Sequence, residues 1–181
     1  MAAAMIDLET LATSPDCVIL TLGGIMFDPY SKEDPHTPIY LRIDADEQME
    51  MGRNWNEDTI KWWGEQDPEI REEALGEEGR LSLADALDQF HKWVCHSDTI
   101  WANGSIFDIM IMEDLYRQME RVPPWNYYNI RDVRTVFNMG VAHNMDKGNL
   151  HNAMADAYQQ AKGVQNVFCE LGIRPPWEND K

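Results

Sequence analysis

Apolar and β-branched residues dominate three stretches near the amino terminus, and turn-forming residues separate them. These stretches predict β-strands at residues 2–8, 17–27 and 38–43. Residues 14–16, with the sequence Ser-Pro-Asp, predict a turn that pairs the second strand back onto the first. The glycine pair at 23–24 indicates a bulge or a close backbone approach within the second strand.

Beyond residue 52, apolar positions recur mostly at helical spacing, and only short strands interrupt the helices. Residues 44–52 are predicted to form the loop that leads into this region. The last helix has the clearest pattern, because its apolar residues form one stripe and its small residues allow close packing on a sheet. The predicted helices are 56–63, 68–75, 82–94, 105–119, 131–139 and 153–171, and the predicted strands are 99–102 and 127–130.

This order of elements predicts the α/β fold class, with early antiparallel strands and later crossovers. Its five strands imply a mixed five-stranded sheet flanked by helices. A length of 181 residues, 44% of them hydrophobic, is suited to one domain spanning residues 1–181.

The formal net charge of −17 departs from the basic surface that is usual for nucleic-acid-binding proteins. A solvated acidic surface that keeps the protein soluble is one interpretation. The other is that some of the 32 acidic residues hold divalent metal ions, which supply local positive charge. Both interpretations are compatible, since a metal site needs only a few carboxylates.

The three cysteines, Cys17, Cys95 and Cys169, have no short spacing and fit neither a disulfide framework nor a zinc site. They predict a reducing, cytoplasmic setting. Asp7 and Glu9 interrupt the apolar amino terminus, and no apolar run approaches 18 residues. The chain is therefore predicted to be neither secreted through a signal peptide nor membrane-spanning.

Three acidic segments carry the candidate chemistry. Asp7 and Glu9 are two residues apart on the first predicted strand, so their side chains point to the same side. Asp108 falls in the first turn of a helix that follows a short strand, where it can also simply complement the helix amino terminus. His151 follows a loop that contains residues 147–149, and Asp156 lies near the start of the last helix, beside small alanines. Taken singly, each segment also fits an ordinary surface or capping role.

Four carboxylates, with no cysteine among them, favour Mg²⁺ or Mn²⁺ over zinc. Two such ions can stabilise the attacking and leaving oxygens of a phosphodiester displacement. An imidazole changes protonation near neutral pH, so His151 is a candidate general base.

In this order and combination, the segments resemble the three motifs of the DEDDh 3′–5′ exonuclease superfamily, which has a ribonuclease H-like fold. Asp7-x-Glu9-Thr10 is similar to the first motif and Phe107-Asp108 to the second. His151, five positions before Asp156, is similar to the third. Residues 14–16, 61–63, 101–104 and 131–135 resemble a small phage and bacterial group that includes phage exodeoxyribonuclease A and a mycobacterial exoribonuclease.

The resemblance implies a role for each matching residue. Asp7, Glu9, Asp108 and Asp156 would hold two divalent cations, and His151 would be the general base. Thr10, Leu11 and Phe107 would contact the terminal nucleotide, and the product would be a nucleoside 5′-monophosphate. The sequence assigns no site role to Trp62, Trp63, Asn103, Arg131 or Arg134.

Three alternatives compete with this interpretation. A phosphatase of the haloacid dehalogenase type needs a second aspartate and a threonine where this chain has Glu9 and Leu11. A non-catalytic ribonuclease H-like binding module would be expected to have lost some of the acidic residues, and all are present. A calcium-binding loop is also disfavoured, because no Asp-rich loop with a terminal glutamate occurs.

The resemblance implies that the partner is a nucleic acid with a single-stranded 3′ end. It favours DNA slightly, with 3′–5′ exoribonuclease activity on RNA ends or short oligonucleotides as the alternative. It also allows a homodimer.

Overall fold

The computed structural model describes residues 1–143 and 151–178, so the predicted loop at 147–149 lies outside the described residues. The strands are β1 (Ala3–Thr10), β2 (Ile19–Phe27), β3 (His36–Arg42), β4 (Thr99–Ala102) and β5 (Ile130–Asp132). The helices are α1 (Ala45–Glu50), α2 (Glu57–Gly64), α3 (Pro68–Leu75), α4 (Leu83–Val94), α5 (Ser105–Gln118), α6 (Val133–Phe137) and α7 (Ala153–Leu171). Short 3-10 helices occur at Tyr127–Asn129 and Pro176–Glu178.

The five strands form one mixed sheet in the order β3-β2-β1-β4-β5. β1 pairs antiparallel with β2 and parallel with β4, so it lies where the sheet changes from antiparallel to parallel. β3 pairs antiparallel with β2, and β5 pairs parallel with β4. The predicted α/β class with a mixed five-stranded sheet is confirmed.

Apolar layers cover both faces of the sheet. On one face, even-numbered β1 residues such as Ala4 and Ile6 pack in a cluster with α4 and α5. On the other, odd-numbered residues such as Ala3 and Met5 pack in a cluster with α6 and α7. This alternation follows from the two-residue period of a strand. Within the described residues, no helix is long and apolar enough to cross a membrane.

Two predictions about elements are wrong. Residues 44–52 were expected to loop out, yet they contain α1, which Asp44 caps by accepting a hydrogen bond from the Glu47 amide. The buried Gln48 side chain exchanges hydrogen bonds with the backbone of Ile19, so a polar residue attaches α1 to the sheet. The last strand begins at Ile130 instead of residue 127, because residues Tyr127–Asn129 form a 3-10 helix.

Candidate active site

One row of β1 side chains changes from apolar to acidic along the strand. Ala3 and Met5 are buried against α7, and Asp7 and Glu9 continue the same row. Because alternate strand residues share a face, both carboxylates point to the side of the sheet that α7 covers. The row becomes acidic where the strand passes the first turns of α7, which carry Asp156.

Asp7, Glu9 and Asp156 form one carboxylate cluster. Each offers an oxygen atom, and these three oxygens lie within 4.8 Å of one another. A close approach between β2 and α7 makes this possible. Gly23 pairs with Asp7 across the sheet, and a β-carbon at Gly23 would lie 2.5 Å from the carbonyl oxygen of Ala153. Gly23 therefore marks a close backbone approach, one of the two alternatives that the sequence predicted for the glycine pair, and the pairing of β2 with β3 is irregular just after Gly24, between Gly24 and Met26.

Asp108 reaches the same place from the other face of the sheet. β4 pairs with β1 only as far as Ile6, and the chain then turns into α5. The Asp108 carboxylate accepts a hydrogen bond of 3.1 Å from the Leu8 backbone amide, which lies beyond the last β4 pair. Asp108 is only 3% exposed, so its carboxylate satisfies a buried donor and is held beside the acidic row.

Burial raises the pKa of the four carboxyl groups. The pKa of Asp7 is held well above its ordinary value by burial and by the negative charges of Asp108 and Glu9. Burial and the charges of Asp156 and Asp108 raise the pKa of Glu9 to about 8. Burial raises the pKa of Asp108 to about 7, although the Leu8 amide offsets part of the effect. Burial also raises the pKa of Asp156, although the hydrogen bond from the His151 amide lowers it in part.

The donor set fits divalent cations. All the ligand atoms are carboxylate oxygens, which hard cations such as Mg²⁺ and Mn²⁺ prefer. Among the described residues, no Lys or Arg lies within 4 Å of the four carboxylates, and the charge of Arg134 offsets only part of the rise in the pKa of Asp108. A bound cation would remove the repulsion between the carboxylates.

His151 is held against Asp156 by its backbone. Its amide donates a hydrogen bond of 3.1 Å to Asp156 Oδ2, and its φ of 68° lies in the left-handed region. The imidazole ring meets Trp62 edge-on at a centroid distance of 4.9 Å, and Trp63 at 6.3 Å. The structure therefore brings the predicted histidine to the cleft.

The cleft beside these carboxylates has a volume of about 400 Å³. Of the three predicted substrate contacts, Phe107 lines it. Thr10 and Leu11 are buried at the end of β1, directly after Glu9, and their side chains do not line it. The carbonyl of Thr10 accepts a hydrogen bond of 3.0 Å from the Trp63 indole. The residues that line the cleft are Asp7, Leu8, Glu9, Asn103, Phe107, Asp108, Arg134, His151, Asp156 and Gln160.

A family model described as the 3′-5′ exoribonuclease Rv2179c-like domain matches residues 2–168. This chain belongs to that exonuclease family. The exonuclease is also 26% identical to the exodeoxyribonuclease of enterobacteria phage T4 over 155 residues. That alignment covers 72% of this chain and 68% of the phage protein.

Solved structures share the fold of the exonuclease. The nuclease domain of 3′hExo, a DEDDh family member bound to rAMP, matches with a TM-score of 0.62 at 12% identity, covering 93% of this chain and 92% of that one. Escherichia coli ExoI in complex with single-stranded DNA matches with a TM-score of 0.64 at 16% identity, covering 94% and 42%. Exonuclease X in complex with 5′-overhanging duplex DNA matches with a TM-score of 0.53 at 14% identity, covering 95% and 94%. The predicted resemblance to DEDDh exonucleases is confirmed.

Gln160, a polar residue that lines the cleft of the exonuclease, was not singled out in the sequence analysis. Gln160 donates a hydrogen bond of 2.8 Å from Nε2 to Asp7 Oδ1, so it orients the carboxylate in the middle of the cluster. The available signal was its spacing, because Gln160 is four residues after Asp156 and therefore on the same face of α7. Asn103 and Arg134, which the sequence left without a role, also line the cleft.

Proposed function

We propose that this exonuclease hydrolyses the last phosphodiester bond at the 3′ end of a single-stranded nucleic acid and releases a nucleoside 5′-monophosphate. The observation that carries the proposal is the cluster of Asp7, Glu9 and Asp156, whose oxygens lie within 4.8 Å of one another beside the buried Asp108. Membership of a 3′–5′ exonuclease family supports the same reaction and direction.

The four carboxylates would hold two divalent cations, Mg²⁺ or Mn²⁺. Such ions, when bound, supply positive charge that stabilises the attacking and leaving oxygens. Gln160 keeps Asp7 oriented from one side, and the backbone amide of His151 orients Asp156. Two of the four side chains that would hold the ions are thus oriented by hydrogen bonds from α7 and from the residue just before its cap.

His151 is proposed to accept the proton of the attacking water. As the water oxygen forms its bond to phosphorus, the bond from phosphorus to the 3′ oxygen of the shortened strand breaks, and that oxygen is protonated from solvent. The imidazole can serve because it stands at the edge of the cleft, with its backbone tied to Asp156. Removal of a positioned general base typically slows turnover about 10²–10⁴-fold.

We propose single-stranded DNA as the substrate, on the similarity to the phage T4 exodeoxyribonuclease. RNA is the second candidate, because the matching family model is described as an exoribonuclease domain. The distinction depends on local contacts with the 2′-hydroxyl.

The test is a digestion of 5′-labelled single-stranded DNA and RNA of one sequence with Mg²⁺, Mn²⁺ or EDTA. We expect a metal-dependent ladder that shortens from the 3′ end, and the faster strand identifies the preferred sugar. Asp7→Asn should abolish the ladder. Glu50→Gln, which neutralises an exposed carboxylate of α1, is the matched control and should leave it intact. Unchanged cleavage by Asp7→Asn would show that the carboxylate cluster is not the active site.

A homodimer and a cytoplasmic location remain predictions from the sequence. Light scattering on the purified chain would test the first. We expect a mass of twice the 21.0 kDa chain if the dimer forms.

A further inference from the structure

A second groove adjoins the acidic cleft. Its volume is about 440 Å³, and it shares the side chains of Phe107 and Arg134 with the cleft. Ile106, which is 79% exposed, gives it an apolar surface beside Phe107. The residues that line the groove are Thr13, Gly104, Ile106, Phe107, Asp132 and Arg134. A strand whose last nucleotide occupies the cleft can therefore continue into this groove.

Arg134 lies at the junction of cleft and groove. Its guanidinium group covers Gly104, where a β-carbon would be 3.3 Å from Cζ and 3.5 Å from each terminal nitrogen. Gly104 has a φ of 117°, so a side chain there would be both strained and in contact with Arg134. Among the described residues that line the cleft, Arg134 is the one arginine or lysine. In a chain of net charge −17, Arg134 is a positive charge beside four carboxylates, and it lowers the pKa of Asp108 without forming an ion pair with it within 4 Å.

Asp132, the acidic residue that lines the groove, forms no ion pair with Arg134 within 4 Å. Asp132 accepts hydrogen bonds from the backbone amide and hydroxyl of Ser105 through one oxygen, and from those of Thr135 through the other. Burial raises the pKa of Asp132, but these hydrogen bonds outweigh burial and hold the pKa below its ordinary value. Within the described part of the chain, the Arg134 side chain makes no hydrogen bond and no ion pair within 4 Å, and its charge acts on Asp108 only from a distance. Its five donors therefore remain available.

Arg131 is a natural comparison, because it lies three residues earlier. Its guanidinium donates hydrogen bonds of 2.7 and 2.8 Å to the carbonyls of Tyr128 and Ile130. These bonds fix it to the local backbone, and it lines neither the cleft nor the groove. Of the two arginines in this segment, Arg134 alone is placed to meet a ligand.

We propose that this groove binds the penultimate nucleotide of the substrate, and that Arg134 binds the phosphate on its 5′ side. The inference rests on the proposed exonuclease function, which places the scissile phosphate against the carboxylates. The base of the penultimate nucleotide packs against Ile106 and Phe107, because exposed apolar and aromatic side chains stabilise unpaired bases. The guanidinium fork matches the geometry of a phosphate group.

The test compares two dinucleotides of one sequence, with and without a 5′-phosphate. Only the phosphorylated form carries the phosphate that Arg134 is proposed to bind. The wild-type enzyme should therefore show a KM for the phosphorylated dinucleotide that is lower by about ten- to a hundredfold, as expected for a charge-assisted contact. Arg134→Gln should remove this difference, and Arg134→Lys should retain part of it. Arg131→Gln is the matched control and should preserve the difference.

Three other outcomes would contradict the groove assignment or the proposed function. If Arg134→Gln slowed both dinucleotides equally and kept their ratio, Arg134 would act on the scissile phosphate and the groove assignment would be wrong. Equal KM values for the two dinucleotides in the wild type would also overturn it, while the exonuclease function would stand. If the wild type cleaved neither dinucleotide nor longer strands, the proposed function would fail and this inference with it.

A second variant tests the groove without touching the arginine. Ile106→Ser removes exposed apolar surface and should raise the KM for longer strands while circular dichroism shows an unchanged fold. Val122→Ser, at a residue that is 81% exposed outside the groove, is the control and should leave the KM unchanged. Equal effects of the two substitutions would remove Ile106 from the binding surface.

Discussion

At Gly23 the backbone of β2 lies against the first turn of α7. A β-carbon there would lie 2.1 Å from the Met154 amide nitrogen, which is closer than two atoms that are not bonded to each other can approach. Nothing at this contact is a flexible side-chain end, since the atoms belong to the backbone of Ala153 and Met154. The position of Asp156 relative to Asp7 therefore depends on the absence of one carbon atom.

Gly23→Ala is predicted to move α7 away from the sheet. We expect a loss of about 1–3 kcal/mol in the free energy of unfolding, the usual cost of overpacking. Activity should fall by about a hundredfold, as when reacting groups are displaced by an ångström. Gly64→Ala is the control, because no atom lies within 4 Å of a β-carbon there. Urea denaturation measures the change in the free energy of unfolding, and strand digestion measures the change in activity. Full activity in Gly23→Ala would show that the close approach at Gly23 does not position Asp156.

The three thiols are predicted to differ in reactivity. Cys17 is buried, and burial raises the pKa of its thiol to about 11, although the nearby Arg53 charge opposes the shift. Cys95 and Cys169 are exposed. Iodoacetamide at pH 8 should therefore modify Cys95 and Cys169 in the folded protein, and Cys17 only after unfolding, because the thiolate is the reactive form. Mass spectrometry would detect early labelling of Cys17, which would contradict its burial.

At the scale of elements, α2 links the end of β1 to the candidate general base. The Trp63 indole donates to the Thr10 carbonyl, and the ring of Trp62 contacts the ring of His151. The tryptophan pair was left unassigned by the sequence, because two adjacent aromatic residues on a short helix also fit ordinary core packing. The ring contacts with His151, which is far from the tryptophans in sequence, show that this helix packs against the candidate general base.

Trp62→Ala is predicted to lower kcat because the His151 ring loses its support. We expect a decrease of about tenfold, smaller than the 10²–10⁴-fold loss typical of removing a general base, because His151 itself is still present. Trp62→Phe should restore most of the rate, since an aromatic ring remains. Trp177→Ala removes a similarly exposed tryptophan outside the cleft and should have no effect. A rise in KM at constant kcat would instead show that Trp62 binds the nucleotide and does not support His151.

Much of the fold followed from periodic patterns, and the exceptions have physical causes. The apolar stripe of α7 was visible because it buries one continuous face, and β1 was visible as a continuous apolar run because both of its faces are buried. α1 was missed because it carries few apolar residues and is attached by Gln48, whose buried side chain bonds the backbone of Ile19. Contacts between residues far apart in sequence, such as the one between Arg134 and Gly104, leave no local pattern, so this part of the cleft could not be predicted from the sequence.

At the scale of the whole molecule, the acidic cluster makes stability depend on pH and on cations. In the metal-free protein the folded-state pKa values of Asp7, Glu9 and Asp108 exceed their ordinary values. The folded state then binds more protons than the unfolded state, so stability is highest below about pH 4 for these groups. It is lost as the pH rises through the folded-state pKa values of about 7 and 8 for Asp108 and Glu9.

Mg²⁺ is therefore predicted to stabilise the protein more at pH 8.5 than at pH 6, because protons compete for the same oxygens at the lower pH. At pH 8.5 we expect Tm to rise by about 5–10 °C at roughly a hundred times the dissociation constant. Asp7→Asn should reduce this gain. Differential scanning calorimetry measures it, and an equal gain at both pH values would argue against binding by these carboxyl groups.

The single arginine among the described residues that line the cleft has a kinetic consequence. A strand that has just lost its last nucleotide is held by few contacts, and the chain of net charge −17 repels the rest of its backbone. Each cut should therefore end the encounter, which makes degradation distributive. With substrate in excess, all strands should shorten together as a moving band, whereas a processive enzyme would leave full-length strands beside mononucleotides.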